Sequence, residues 1–167
     1  CIDFDGDGLN DLVICNKREI YNDNDVKWTI VPGKSIADYS WNYYMVSIYT
    51  KCKGARNVYT YGNFNNNGRT DILQIEQAPV SGKYPCHLLS CRDSVASGMR
   101  MVADFSLPFS SEPCRLFASD FDGDGTEDLM VVCKTGYSIF WNNRDSIPFS
   151  SGNMVSGTNV KEVTNIQ

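Results

Sequence analysis

Short apolar runs separated by turn residues dominate the hydrophobic pattern of this 167-residue chain. Three runs, residues 11–15, 71–75 and 128–133, are rich in the aliphatic and β-branched residues that strands favour. Further strands are predicted at residues 27–31, 44–51, 57–62, 85–90, 99–105, 115–119 and 137–141. No window keeps the 3.6-residue period of an amphipathic helix. The pattern therefore predicts an all-β chain made of three units of about four strands each.

A nine-residue motif precedes each of the three apolar runs. Its copies are DFDGDGLND at 3–11, NFNNNGRTD at 63–71 and DFDGDGTED at 120–128, so they begin 60 and 57 residues apart. A period of this size suits one sheet-sized unit per repeat, with approximate bounds 1–58, 59–115 and 116–167. Because Cys1 lies two residues before the first motif, we expect the chain to be an excerpt of a longer polypeptide.

Alternate positions of the first and third motifs carry oxygen ligands. Four carboxylates and one backbone carbonyl per loop suit Ca²⁺ and offer no soft ligand for zinc or copper. An EF-hand is excluded because Ile14 and Val131 stand where its twelfth-position Glu is required, and the flanks are strands. The sequence therefore predicts two calcium sites, and two ions would change the formal charge from −5 to −1. The predicted ligands are Asp3, Asp5, Asp7, the Leu9 carbonyl and Asp11, then Asp120, Asp122, Asp124, the Thr126 carbonyl and Asp128.

The middle motif leaves two alternatives open. Asn63, Asn65 and Asn67 replace three of the acids, Asp71 remains, and Arg69 adds a positive charge at the seventh position. Amide oxygens can bind calcium, but affinity follows the charge of the ligands, so one interpretation is a weaker third calcium site. The other is a turn held by hydrogen bonds from asparagine side chains to the backbone.

Composition and charge exclude several function classes. The net charge of −5 and the pI of about 4.8 argue against a nucleic-acid partner. No apolar run is long enough for a membrane span, and no signal peptide is visible in the segment. His87 is the single histidine and lies in an apolar run, which indicates a packed strand residue and disfavours a histidine-based zinc site or a Ser-His-Asp triad.

The seven cysteines and one aromatic stretch each allow two interpretations. The cysteines are either small buried hydrophobes with free thiols, or partners in one or two disulfides such as Cys86–Cys114 or Cys1–Cys133. Tyr39, Trp41, Tyr43, Tyr44 and Tyr49 either fill the core and strand surfaces or form a platform for sugar or protein.

The motif Phe-Asp-Gly-Asp-Gly-x-x-Asp-Leu, repeated about every 58 residues, resembles the FG-GAP/VCBS calcium repeat of integrin-α-type β-propellers. The resemblance implies a partial β-propeller of about three four-stranded blades, with a calcium loop in a hairpin of each blade. The Phe-Gly and Gly-Ala-Pro flanks of the integrin type are missing or eroded, so integrin function is not implied. Residues 119–129 and 136–142 are similar, more weakly, to propeller segments of bacterial RHS/SpvB-like surface and toxin proteins.

Propellers close with four to eight blades, so three repeats predict an arc of a larger ring. We expect its edges to pair with the rest of the parent chain or with another chain, and residues 150–167 to supply part of a blade by pairing with the N-terminal unit. The expected function is a non-enzymatic, calcium-stabilised module that binds a protein or glycan, in the extracellular space or cell envelope. The alternatives are a structural propeller segment of an RHS/Tc-like secreted toxin and, least favoured, a catalytic propeller acting as a lyase or hydrolase.

Overall fold

A computed structural model describes residues 1–17, 25–37, 46–51, 57–92 and 98–158. Within these ranges the chain is all-β, as the pattern predicts, and its one helix is the single turn α1 (Gly33–Ala37). The strands are β1 (Leu12–Lys17), β2 (Asp25–Val31), β3 (Val46–Lys51), β4 (Asn57–Gly62), β5 (Asp71–Glu76), β6 (Tyr84–Cys91), β7 (Met99–Leu107), β8 (Pro113–Ser119), β9 (Asp128–Cys133), β10 (Tyr137–Phe140) and β11 (Met154–Gly157).

Consecutive strands pair antiparallel into three sheets, and no sheet closes on itself in the described part of the chain. Sheet 1 has the order β1-β2-β3, sheet 2 β4-β5-β6-β7 and sheet 3 β8-β9-β10-β11. In sheet 1, Ile2 forms an isolated bridge with Asp11. Gly62 pairs with Asp71, and Ser119 with Asp128, at the same place in sheets 2 and 3. Ile2 therefore stands where the first strand of each other sheet ends.

The described part of the tail pairs with the strand just before it. Strand β11 lies beside β10, with Tyr137 opposite Gly157 and Phe140 opposite Met154, so residues 154–157 complete the third unit, and within the described residues the tail pairs there and not with the N-terminal unit. The Trp141 backbone N–H donates to the Asn153 carbonyl at 3.1 Å, which closes the connection between the two strands. Local pairing across this short connection costs less chain entropy than pairing with the distant first unit. Residues 159–167 lie outside the described residues.

Sheet 2 is buried on both faces, because sheet 1 packs on one and sheet 3 on the other. On β5, Ile72 joins the cluster with sheet 1, whereas Leu73 and Ile75 join the cluster with sheet 3. A strand covered on both sides needs apolar residues at consecutive positions, which explains its continuous apolar run. The cluster between sheets 1 and 2 comprises Ile2, Phe4, Val26, Trp28, Ile30, Ile72, Leu89, Cys91 and Met99.

All the described cysteines are free thiols, so neither Cys86–Cys114 nor Cys1–Cys133 is formed. Cys86, Cys91 and Cys133 are buried, as the small-hydrophobe interpretation predicts, and Cys1, Cys15 and Cys114 are exposed. Cys52 lies outside the described residues, as do Tyr39, Trp41, Tyr43, Tyr44 and the side chain of Tyr49. The described residues include no helix with the length and hydrophobicity of a membrane span.

Candidate metal centres

The three motifs form one type of turn. This turn leads into β1 in sheet 1, into β5 in sheet 2 and into β9 in sheet 3. The fourth and sixth residues of each turn have positive φ, a conformation that glycine adopts without strain and asparagine more readily than most residues. The corresponding φ values are 80° and 86° at Gly6 and Gly8, 54° and 79° at Asn66 and Gly68, and 79° and 86° at Gly123 and Gly125. The glycines of the two acidic motifs therefore suit the conformation that these turns adopt, and Asn66 adopts it in the middle motif.

The first aspartate of each acidic loop organises the turn by accepting backbone hydrogen bonds. In the first loop, Asp3 accepts from the N–H groups of Gly6 at 2.8 Å and Gly8 at 3.1 Å. In the third loop, Asp120 accepts from Gly123 at 2.7 Å and Gly125 at 2.9 Å. The carboxylates are thus held in place by the backbone itself, through bonds between charged acceptors and N–H donors.

The fifth-position aspartates make a second matching set of bonds. Asp7 accepts from the Leu9 N–H at 2.8 Å, and Asp124 accepts from the Thr126 N–H at 2.8 Å. The Thr126 hydroxyl also donates to Asp124, at 2.5 Å. These two donors from Thr126, the hydroxyl first, lower the pKa of Asp124 below its ordinary value.

The last aspartate of each acidic loop is a buried anchor. Asp11 accepts from the N–H groups of Phe4 and Gly33, both at 2.8 Å. Asp128 accepts from Phe121 and Asn142, both at 2.9 Å. Burial raises the pKa of Asp11, and the two N–H donors partly oppose that rise. Gly33 follows the end of β2 in sheet 1, and Asn142 follows the end of β10 in sheet 3. Because each donor lies at the end of a neighbouring strand, this aspartate fixes the loop to the end of its sheet.

Two groups of three carboxylates come together, one in each acidic loop. One oxygen from each of Asp3, Asp5 and Asp11 lies within 4.8 Å of the others, and the same holds for Asp120, Asp122 and Asp124. Asp7 and Asp128, also predicted as ligands, lie outside these groups. The two groups contain only carboxylate oxygens, a hard donor set that fits a hard cation and not zinc or copper. Each acidic loop could therefore hold a metal ion.

Leu9 and Thr126 occupy the seventh position, where a carbonyl ligand is predicted. Their backbone N–H groups are used within the turn, and the Thr126 side chain is buried whereas that of Leu9 is exposed. The role of their carbonyls stays a prediction.

Arg144, which the sequence did not single out, contacts the third loop. Its Nη2 lies 3.0 Å from a carboxylate oxygen of Asp124 and also donates to the Asp124 carbonyl. The residue comes from the connection between β10 and β11, 20 residues along the chain, so no motif near the loop points to it. A cation at this loop would therefore share Asp124 with a guanidinium.

The middle loop is closed by its own amide groups. Asn65 donates its side-chain Nδ2 to one oxygen of Asp71 at 3.0 Å and its backbone N–H to the other at 3.2 Å. Asn63 accepts from the Asn67 N–H at 3.0 Å. Burial raises the pKa of Asp71 to about 6. The amide of Asn65 thus meets Asp71 where Asp5 faces Asp11 in the first loop, which favours the interpretation of a hydrogen-bonded turn.

The loops are tied to one another along one end of the three sheets. The Thr70 N–H donates to the Asp3 carbonyl at 3.1 Å, and the Asn63 N–H donates to the Glu127 carboxylate. Asn142 donates through Nδ2 to the carbonyls of Phe64 at 2.9 Å and Glu127 at 3.0 Å. Thr70 and Glu127, the eighth residues of the middle and third loops, therefore contact Asp3 and Asn63, the first residues of the loops before them, and so link the loops of neighbouring sheets.

No family model, curated protein or solved structure matches this chain.

His87, the single histidine, lies outside these loops on β6 and packs within sheet 2. Its Nε2 is 2.9 Å from Glu76 Oε1, and its Nδ1 is 3.3 Å from Asp104 Oδ1. The imidazole is buried between the neighbouring strands β5 and β7, as the packed-strand interpretation predicts. The two carboxylates lie on opposite sides of the ring, so the three groups do not converge on a shared metal position.

Proposed function

We propose that this chain is a calcium-stabilised segment of a partial β-propeller that acts as a non-enzymatic interaction module for a protein or glycan in a secreted or cell-surface protein. The observation that carries the proposal is the pair of matching acidic loops. In each, three carboxylate oxygens lie within 4.8 Å of one another while backbone N–H groups fix the side chains. Holding three carboxylates so close costs electrostatic energy that a divalent cation would offset.

The order of the sheets supports the propeller part of the proposal. Each sheet is a meander of consecutive strands, the sheets stack face to face in chain order, and equivalent loops lie at one end. The first strands of sheets 2 and 3, β4 and β8, are neighbours, as the inner strands of adjacent blades are in a propeller.

An all-oxygen ligand set without imposed octahedral geometry favours Ca²⁺, which accepts irregular coordination, over Mg²⁺, which demands a near-ideal octahedron and keeps several of its waters. Bound calcium would stiffen one end of the sheet stack and leave the connecting loops to present a binding surface. Catalysis is disfavoured because the loop carboxylates are engaged by N–H donors, and His87 is held between Glu76 and Asp104.

Calcium titration by calorimetry, with magnesium as the comparison ion, tests the proposal. We expect two calcium sites and much weaker binding of magnesium. Asp5→Asn and Asp122→Asn are the matched variants, because each places in an acidic loop the asparagine that the middle loop already has at Asn65. Each variant should lose one site, and together they should lose both. Asp145→Asn removes an exposed acid outside the loops and should keep both sites.

The absence of binding heat in the unmodified chain would contradict the proposal. Equal loss of sites in the Asp145→Asn control would also contradict it, because binding would then reflect net charge and not the built loops.

A further inference from the structure

The middle loop contains the single Asn-Gly pair of the sequence, at Asn67 and Gly68. Both residues are exposed. A β-carbon added to Gly68 would meet no atom of the described residues within 4 Å, its chain neighbours aside. Because glycine has no side chain, its backbone nitrogen is not shielded. The side-chain amide of Asn67 therefore lies beside a backbone nitrogen that is open to solvent.

In the acidic loops, the equivalent glycine nitrogen is held by the first aspartate. Gly8 donates to Asp3 Oδ2 at 3.1 Å, and Gly125 donates to Asp120 Oδ2 at 2.9 Å. Each aspartate accepts from a further N–H group of its turn through the other oxygen, Oδ1. A carboxylate thus restrains two parts of the turn at once, and one of them is the nitrogen of the sixth residue.

Asn63 cannot restrain both parts of the middle loop, because an amide has one acceptor oxygen where a carboxylate has two. That oxygen accepts from the Asn67 N–H at 3.0 Å, so the second atom of the group is an Nδ2 donor. Within the described part of the chain, the Gly68 N–H has no hydrogen-bond acceptor. The nitrogen that is held in both acidic loops is therefore unrestrained in the middle one.

The side-chain carbonyl of Asn67 is polarised by the same turn. Its Oδ1 accepts from the Arg69 N–H at 2.8 Å. When a nucleophile adds to Cγ, negative charge develops on this oxygen, and a donor that is already aimed at it stabilises that charge. The middle loop thus combines an unrestrained nucleophile with an activated amide.

We propose that Asn67 is a site of spontaneous deamidation in the folded chain. The Gly68 nitrogen attacks Cγ of Asn67 and loses its proton to solvent, while the Cγ–Nδ2 bond breaks and ammonia leaves. One water then opens the resulting five-membered succinimide at either of its carbonyls, which gives aspartate or isoaspartate. The reaction needs no oxidant, reductant or metal ion, so it is independent of the calcium proposal. It adds one negative charge at the fifth position, where the acidic loops carry Asp7 and Asp124.

Mass spectrometry of the 167-residue chain, kept folded at mildly alkaline pH in chelator, tests this chemistry. Trypsin releases residues 57–69 as one peptide, in which four other asparagines serve as internal references: Asn57, Asn63, Asn65 and Asn66. We expect a gain of about 1 Da that fragmentation assigns to Asn67, with isoaspartate among the products. The reference asparagines should convert at least about tenfold more slowly, because a side chain follows each of them. An Asn67 that stays unchanged while the urea-unfolded chain converts would overturn the proposal.

Asp7→Asn provides a matched comparison within one molecule. It creates a second Asn-Gly pair whose side-chain oxygen again faces an N–H, that of Leu9, but whose glycine nitrogen is held by Asp3. This second pair should convert about tenfold more slowly than Asn67, because the N–H must first leave a charged acceptor. Asp124→Asn gives the same comparison in the third loop if Asp7→Asn does not fold.

Asn63→Asp makes the reciprocal change. It restores the second acceptor oxygen for the Gly68 N–H, so Asn67 should convert about tenfold more slowly in this variant than in the parent. Equal rates for the two Asn-Gly pairs of Asp7→Asn, or a parental rate in Asn63→Asp, would overturn the structural cause. Conversion of Asn67 in a chain that gives no calcium heat would uphold this inference while the calcium proposal fails.

Discussion

Asp11, Asp71 and Asp128 close the three loops, and each is almost completely buried. An unpaired buried carboxylate would be costly, and each of these accepts at least two hydrogen bonds. For Asp11 and Asp128 the donors are backbone N–H groups. For Asp71, Asn65 supplies two donors, its backbone N–H and its side-chain Nδ2. The same aspartate thus anchors every loop to its sheet, whatever the chemistry of the other positions.

Asp71 should make the stability of the chain depend on pH. Its pKa is raised to about 6 from an ordinary value near 3.8, with burial as the main cause. The native state then holds this proton more tightly than the unfolded state, so the free energy of unfolding should fall as pH rises from about 4 to about 7. The loss attributable to Asp71 is about 3 kcal/mol.

Urea unfolding in chelator across this pH range measures the effect. Asp71→Asn cannot titrate and keeps a side-chain oxygen as an acceptor, so its free energy of unfolding should change less with pH than that of the parent. An identical pH dependence in parent and variant would show that other groups cause it.

Among the structural elements, the second residue of each motif shows how packing between sheets uses a repeated sequence. Phe4 and Phe64 are buried between sheets, whereas the equivalent Phe121 is 41% exposed. Phe64 also makes an edge-on contact with Phe149, with ring centroids 5.4 Å apart. The same motif position is thus buried in the first two loops and partly exposed in the third, because in the described part of the chain only sheets 1 and 2 pack against a following sheet.

Phe64→Ala should therefore cost far more stability than Phe121→Ala. Truncating a buried phenylalanine costs about 3–5 kcal/mol, because the transfer free energy is lost and a cavity remains. The exposed Phe121 should cost less than about 1 kcal/mol. Chemical denaturation of both variants and of the parent chain compares the two values directly. Similar losses at both positions would mean that Phe121 is covered in solution.

For the whole molecule, the loops tie the three sheets together at one end, and bound calcium should stabilise that arrangement by mass action. A ligand present at a hundred times its dissociation constant stabilises the native state by about 2.7 kcal/mol per site. Thermal melts should therefore show a higher midpoint in calcium than in chelator, with Asp5→Asn and Asp122→Asn each removing part of the difference. The double variant should melt at the same temperature in both conditions. A calcium-dependent shift that survives in the double variant would place the stabilising ion elsewhere.

The sequence by itself determined the strand positions, the three units and the conformation of the loops. These depend on local chemistry: alternating and continuous apolar runs specify strands, and glycine or asparagine at the fourth and sixth positions permits the positive φ values that all three turns show. The buried state of His87 also followed from its apolar neighbours.

Only the tertiary structure decided which carboxylates meet, what else reaches them and which faces stay open. The group of mutually close carboxylates contains Asp3, Asp5 and Asp11 in the first loop but Asp120, Asp122 and Asp124 in the third, although the two loops are nearly identical in sequence. Arg144 and Asn142 reach the third loop from a connection that no local pattern links to it. The burial of Phe4 and Phe64 and the exposure of Phe121 likewise depend on neighbours distant in the chain, because packing is set by what each face meets after folding and not by the residues beside it in sequence.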